Sequence, residues 1–360
     1  MNAEKLHQTI NLVNEDVNRT KIVTHLQSIV SMLNNLANSP NQSHQQTLAS
    51  SLTSFLDGIN KSNFDQLSAS TRKIMTDICP NLVLGSTLGE KVRSIIEKNQ
   101  ITFQVAVNEI NPLFNEINQF IANSKALLAS FQVFNISKEV LETGECEIGF
   151  IVPREEIKND FHVYQKELQE FEFIINNYNE YVSGKKQKIE LKAISSTDPM
   201  IYIGVITAVG ASIAKTIDWI IDSYKKILEI RLLREQLKNA GVPEDKTKGI
   251  EDYANELMSK KIDEMLEILR KEYCGIKNGD RKNELENGLR ISMNKIANRI
   301  DSGFNYEVRV GALPKTEADE TDDNEEQKNY DEIKRVESKL IFTNMLGSKI
   351  LSLPEKEVKK

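Results

Sequence analysis

Glu190-Leu-Lys192 puts a carboxylate and an ammonium two residues apart, inside the alternating stretch Ile189-Glu-Leu-Lys-Ala193. On a strand that spacing sends both groups to one face. There a carboxylate can hold a metal ion while the lysine steadies an attacking water or a phosphate, the chemistry of a metal-dependent nuclease. Such a site draws another acid from an adjoining strand, and Glu147 in Glu147-Ile-Gly-Phe-Ile-Val152 is the candidate. No Pro-Asp element precedes Glu190, and a long helical pattern separates the two strands. Alternating charge on a wet strand face is the simpler reading.

Other patterns weaken on inspection. Val209-Gly-Ala-Ser-Ile-Ala-Lys215-Thr216 ends like a phosphate-binding loop, but Val209 and Ala214 stand where that loop needs glycine. Ser195-Ser-Thr-Asp198 offers hydroxyls, yet His7, His25, His44 and His162 are all distant in sequence. Asp198 before Pro199 reads as a helix cap followed by the first helical residue. Cys79, Cys146 and Cys274 form neither a C-x-x-C nor a Cys/His cluster, so structural zinc is not expected. Three scattered cysteines read as small buried hydrophobes in a reducing compartment. No catalytic residue, metal, cofactor or small-molecule substrate is therefore expected.

Lys185, Lys186 and Lys188 cluster beside the second strand pattern. Along 281–300, Arg281, Lys282, Arg290, Lys295 and Arg299 face only the acids Glu284 and Glu286, with Asn283, Asn287, Asn294 and Asn298 alongside. Lys185, Lys186, Lys188, Arg290, Lys295 and Arg299 are thus candidates for tracking phosphates. No recognition helix or base-stacking motif accompanies them, and a net charge of −7 gives no general attraction to nucleic acid or anionic lipid. A solvated helix face explains them more simply.

The elements that must position these groups are mostly helical. Leu6, Ile10, Val13 and Val17 form a stripe that resumes, after an offset, at Ile22, Leu26, Ile29, Leu33 and Leu36. Shorter helices follow to Ile96, and 103–128 reads as a helical hairpin broken or kinked at Asn111-Pro112. Pro153 opens a helix whose seam, Ile157, Phe161, Tyr164, Leu168, Phe171, Ile175, Tyr178 and Val182, steps by four and three like a heptad. Pro199 to about Asn239 reads as one long helix, followed by helices near 244–273 and 282–300. Phe304, Tyr306, Val308 and Val310 alternate as a third strand.

Residues 200–214 form the sharpest apolar run of this polar, acidic chain and carry no charge. Fifteen helical residues reach about 22 Å, short of the roughly 30 Å of a bilayer core, and Lys215, Asp218 and Asp222 follow at once. A buried central helix is expected first, then an oligomer interface, then conditional membrane insertion. Between 317 and 326 stand seven acids and no base, the pattern of a mobile linker. A last helix is expected from about Tyr330 to Leu351.

The expected fold is mainly α: a bundle of long helices with coiled-coil-like packing and a small three-stranded sheet from positions near 148, 190 and 308. The expected divisions are an N-terminal helical region 1–140, a long-helix bundle with the sheet 141–314, an acidic disordered linker 315–328, and a last helix with its charged tail 329–360. A composition of 39% hydrophobic and 28% charged residues is that of a soluble globular protein. Met1 to Asn18 carries Glu4, Glu15 and Asp16 and lacks the apolar core of a signal peptide, so a cytoplasmic address is expected. The leading functional expectation is a non-enzymatic helical scaffold that binds a protein partner or itself. Its contact candidates are Phe161, Tyr164, Leu168, Phe171 and Tyr178 on the seam, and Gly204, Ala208, Gly210 and Trp219 in and after the apolar run. The alternatives are a membrane-acting effector docking 200–214 and, behind it, a nucleic-acid-binding subunit.

Overall fold

The offset in the first apolar stripe is a break in the helix. Lys21 adopts φ 54°, ψ 28°, and the pattern folds as α1 (Ala3–Thr20) and α2 (Ile22–Asn38). The structure is a computed structural model that describes residues 3–195, 200–276, 279–313, 322–343 and 348–356. Four more helices complete the first unit: α3 (Gln42–Asn60), α4 (Ala69–Ile78), α5 (Gly85–Lys98) and α6 (Phe103–Val133). Asp16 accepts hydrogen bonds from Ser62 Oγ at 2.5 Å and Asn63 N at 2.9 Å, tying α1 to the turn after α3. The hairpin expected over 103–128 is instead a single helix of 31 residues containing Pro112. The reason is phase: Val107, Ile110, Leu113, Ile117 and Phe120 are all buried and continue one stripe through the proline. This stripe joins those of α1 and α2 in one apolar core.

Contacts divide the chain into two compact units, Met1–Val140 and Leu141–Lys360. The second holds β1 (Cys146–Ile151), α7 (Arg154–Ile157), α8 (Phe161–Ser183), β2 (Glu190–Ser195), β3 (Met200–Val205), α9 (Thr207–Asn239), α10 (Glu244–Glu272), α11 (Asp280–Asp301), β4 (Asn305–Val310) and α12 (Asp322–Lys339). Overall the chain is mainly helical, 72%, with a four-stranded antiparallel sheet.

The fourth strand is a correction to the sequence reading. Residues 200–214 are not one helix: they form β3, a turn at Ile206, and the first turns of α9. The strand order is β2-β3-β1-β4, so β3 lies between the second and first strands. Ile148 pairs with Ile203 on one side and with Val308 on the other. An inner strand covered on both faces carries a continuous apolar run rather than an alternation, and such a run looks like a buried helix by periodicity. Ile, Tyr and Val tip it toward strand.

On one sheet face Phe150 stacks on Phe171 of α8 at 4.2 Å between centroids and meets Tyr306 edge-on. On the other, Arg309 Nη2 donates to Glu147 Oε2 at 2.5 Å while its guanidinium lies 4.0 Å over the Tyr202 ring. Tyr202 OH donates to Glu307 Oε2 at 2.6 Å. From Val209 to Ala214 α9 is buried all round, and a Cβ at Gly210 would overlap Cys146 Sγ on β1. Burial pushes the Cys146 thiol well above its ordinary range, as befits a packing residue.

Three further expectations change. The heptad helix does not start at Pro153, because Lys158 and Asn159 are left-handed at φ 50° and 55° and Asp160 caps a new start. Of the acidic stretch, 314–321 lies outside the described residues, and the part from Asp322 onward is helical, not extended. Acids such as Glu325 and Glu326 suit the start of a helix, where the dipole favours negative charge. The last helix ends at Lys339, not Leu351, and the chain beyond it takes a different form. No helix among the described residues is long and apolar enough to cross a membrane.

Candidate functional site

Residues 348–356, Ser-Lys-Ile-Leu-Ser-Leu-Pro-Glu-Lys, have neither helix nor strand, yet Ile350, Leu351 and Leu353 are buried to about 5% exposure or less. This strap lies in a groove built by α9, α10 and α11. The groove residues repeat at helical spacing. Arg231, Arg234 and Glu235 share one side of α9, and Asn294, Asn298 and Asp301 step by four and three along α11. Lys295 and Arg299 form a parallel row one residue on, and α10 adds Glu251 and Asn255.

Most of the bonds across the groove run from helix side chains to the strap's main chain. Arg234 donates to the carbonyls of Ser348 and Lys349 at 2.5 and 3.1 Å. Asp301 Oδ2 accepts from the amides of Ile350 and Leu351, both at 2.6 Å. Asn255 Oδ1 accepts from Ser352 N at 2.8 Å. Asn298 pairs with both backbone groups of Leu353, each at 3.0 Å, as a neighbouring strand would. Asn294 Nδ2 donates to the Pro354 carbonyl at 2.7 Å. A linear segment outside regular structure must satisfy its buried backbone groups somehow, and here five side chains from three helices do so.

Two charge clusters fix the ends. Asp301, fully buried, also accepts through Oδ1 from Tyr224 OH at 2.5 Å and from Arg231 Nη1 at 2.9 Å. Burial, with the Asp301 charge beside it, drives the Tyr224 phenol well above its ordinary range, so it stays a donor. At the other end Glu355 takes a hydrogen bond from Asn298 Nδ2 at 2.9 Å and lies 3.5 Å from both Lys295 and Arg299. Burial opposes the Glu355 charge, but the Asn298 amide and the two cations outweigh it and hold its carboxyl below the ordinary range. Ser348 Oγ donates to Glu235 Oε1 at 2.7 Å, which lowers that carboxyl as well. A cavity of about 300 Å³ remains beside the strap, edged by Glu156, Glu167, Phe304 and Lys349.

The residues singled out in the sequence fall elsewhere or in other roles. On α8 only the second half of the seam is buried: Phe171 and Tyr178 are inside, with Tyr178 OH on Thr216 Oγ1 at 3.0 Å. Phe161 is 80% exposed, Leu168 is exposed and Tyr164 is half-buried. Gly204 on β3 sits against the Lys192 side chain, Ala208 is half-buried, and Gly210 is buried against β1. Trp219 donates to the Lys261 carbonyl at 2.9 Å, joining α9 to α10.

The basic set does not form a phosphate track. Lys295 and Arg299 are buried and paired with Glu170, Glu167 and Glu355, and Arg290 pairs with Asp263. Lys185, Lys186 and Lys188 are exposed, with Lys188 4.0 Å from Glu190. Glu190 and Glu147 both register opposite Gly204 on one sheet face, but Lys192 pairs with Glu190 at 3.3 Å and with Glu145, and Glu147 is taken by Arg309 across β1 and β4, so both acids of the nuclease expectation are engaged in ion pairs. No group of three metal-ligating side chains assembles among the described residues. Lys215 of the loop-like motif is inside α9 and pairs with Glu272. Residues 196–198 of the hydroxyl cluster lie outside the described residues.

The sequence reading missed Asn255, Asp301, Arg231 and Arg234, and placed Asn294 and Asn298 on a solvated helix face, with phosphate tracking as the alternative. The available signal was an excess of asparagine inside α11, where asparagine is a poor helix former and needs another reason to be there. The chain matches no protein-family model, no curated protein and no solved structure.

Proposed function

We propose that this chain is a helical interaction protein whose working surface is the groove on α9, α10 and α11, and that the groove takes a linear peptide segment. The observation that carries this reading is the set of side-chain bonds to consecutive main-chain groups from Ser348 to Pro354. Helix packing calls for interdigitated side chains. Recognition of a peptide calls for main-chain bonds with pockets for selected side chains, and the pockets for Ile350, Leu351 and Leu353 supply the second part. The cations around Glu355 add a preference for an acid two residues after the last apolar anchor.

The test uses the full chain with its own strap weakened by Leu351→Ala and Leu353→Ala, and a fluorescent peptide of residues 348–356. Saturable binding, read as anisotropy, is expected. Adding Asn298→Ala should weaken it by roughly tenfold, the worth of one or two hydrogen bonds at about 1 kcal/mol each. A folded, strap-weakened chain that ignores the peptide would refute the reading.

A further inference from the structure

We infer that the strap is exchanged between two copies of the chain, so that residues 348–356 of one copy fill the α9–α11 groove of the other. This rests on the groove being a peptide site. The bonds given above between groove and strap are made to the segment itself, so the same set forms whichever copy supplies it, the condition for a swapped dimer. The groove also needs an occupant. If the strap leaves, Asp301, Asn255, Asn294 and Asn298 lose their main-chain partners. The apolar seats of Ile350, Leu351 and Leu353 open to water at the same time, so an empty groove is disfavoured. The strap of a second copy matches every one of these groups and returns Glu355 to Lys295 and Arg299.

Two features fit a second copy in particular. Thr343 is anchored on Asn305 through both backbone groups, at 2.8 and 3.2 Å. Only four residues separate it from Ser348, and five peptide steps span at most about 18 Å. A groove filled in trans must therefore lie close, and a two-fold pair that exchanges reciprocally meets that demand. At the end of α9 and α10 that carries the groove, Leu232, Leu233 and Tyr253 are exposed, each by about half of its surface. They give two such copies apolar area to bury against each other.

The experiment mixes two singly substituted chains, Glu235→Cys and Ser348→Cys, and adds a short bis-maleimide linker. In each chain one of the two positions that meet at 2.7 Å carries the new thiol, so exchange is what brings the two within reach of the linker. A product of twice the chain mass is expected in the mixture, above the background of wild-type chain with its native Cys79, Cys146 and Cys274. The chain carrying both substitutions should link within itself, which shows the geometry is sound. Exchange is refuted if that chain links internally while the mixture does not exceed background. Light scattering on unaltered chain from roughly 1 to 100 μM is the second arm, since association is driven by concentration. A monomer throughout, or a dimer that the mixed thiols do not trap, refutes it too. Peptide binding by the strap-weakened chain without trapping removes the second copy and leaves the groove reading standing; loss of peptide binding removes the groove reading itself.

Discussion

Met1–Val140 and Leu141–Lys360 bury different things. The first unit closes over apolar stripes, and Leu26, Ile29, Leu36, Phe55, Leu88 and Val92 are wholly inside. The second also has an apolar interior, but it buries Glu147, Arg231, Arg234, Glu286, Lys295, Arg299, Asp301, Glu307 and Arg309 as well. Buried ion pairs rarely add stability over an apolar packing of equal volume. Their concentration in one unit therefore points to a use beyond cohesion, and around the strap that use is to hold main-chain amides and carbonyls. Apolar complementarity makes a unit; buried polar and charged side chains at helical spacing hold a main-chain segment within one.

The sharpest way to break this contrast is Asp301→Ala. It removes the carboxylate that accepts from the strap's Ile350 and Leu351 amides and leaves Arg231 buried without that partner, so it should cost about 3–5 kcal/mol in urea denaturation. Leu26→Ala in the first unit should cost a comparable 2–5 kcal/mol or so by cavity formation, yet leave amide exchange at Ile350 and Leu351 unchanged. If Asp301→Ala costs under about 1 kcal/mol, the buried charge is ornamental and the contrast fails.

A second pair sharpens the contrast within α8. Phe171→Ala should lose about 3–5 kcal/mol, because the buried ring stacks on Phe150 and meets Phe304 edge-on. Phe161→Ala should stay within about 0.5 kcal/mol, because its ring is exposed. Equal losses in thermal melts would mean that the seam's first half is packed in solution.

Gly210→Ala comes next. The new methyl must push Cys146 away from the first turn of α9, at a cost of about 1–3 kcal/mol. A neutral result would show that β1 and α9 are less closely apposed than the geometry requires.

The smallest effect is a pH dependence confined to the strap. Glu355 and Glu235 both have lowered carboxyls in the folded state. A depressed acid contributes stability above its unfolded pKa and loses it as pH falls through the folded one. Strap protection should thus be full near neutrality and decline as pH drops below about 4.5, the ordinary glutamate value that Glu355 departs from. Local exchange at Ile350 and Leu351 reads this directly. Protection that rises on acidification would contradict the pairing of Glu355 with Lys295 and Arg299.

Much of this architecture is legible in the chain. All of the α2 stripe and all but the half-buried Leu6 of the α1 stripe are inside, and the strand patterns in 147–152 and 304–310 mark β1 and β4. Less of the site is legible. Asn294, Asn298 and Arg299 stand out as an unusual polar helix face, but nothing local says whether that face meets water, phosphate or a strap. Their partner lies 55 to 60 residues away in sequence.

By itself the sequence determines the helices, because a 3.6-residue periodicity is a property of neighbours along the chain and survives in any packing. It also determines the helix stops at Gly184 and Gly241, where φ of 73° and 82° suits glycine. Tertiary structure alone decided that Met200–Val205 is a strand, because its choice depends on finding β1 and β2 on either side. It alone decided that Ser348 to Glu355 is a strap seated by the buried Ile350, Leu351 and Leu353 and not helix or tail. Both are cases of backbone groups satisfied by partners distant in sequence, a term that no local pattern contains.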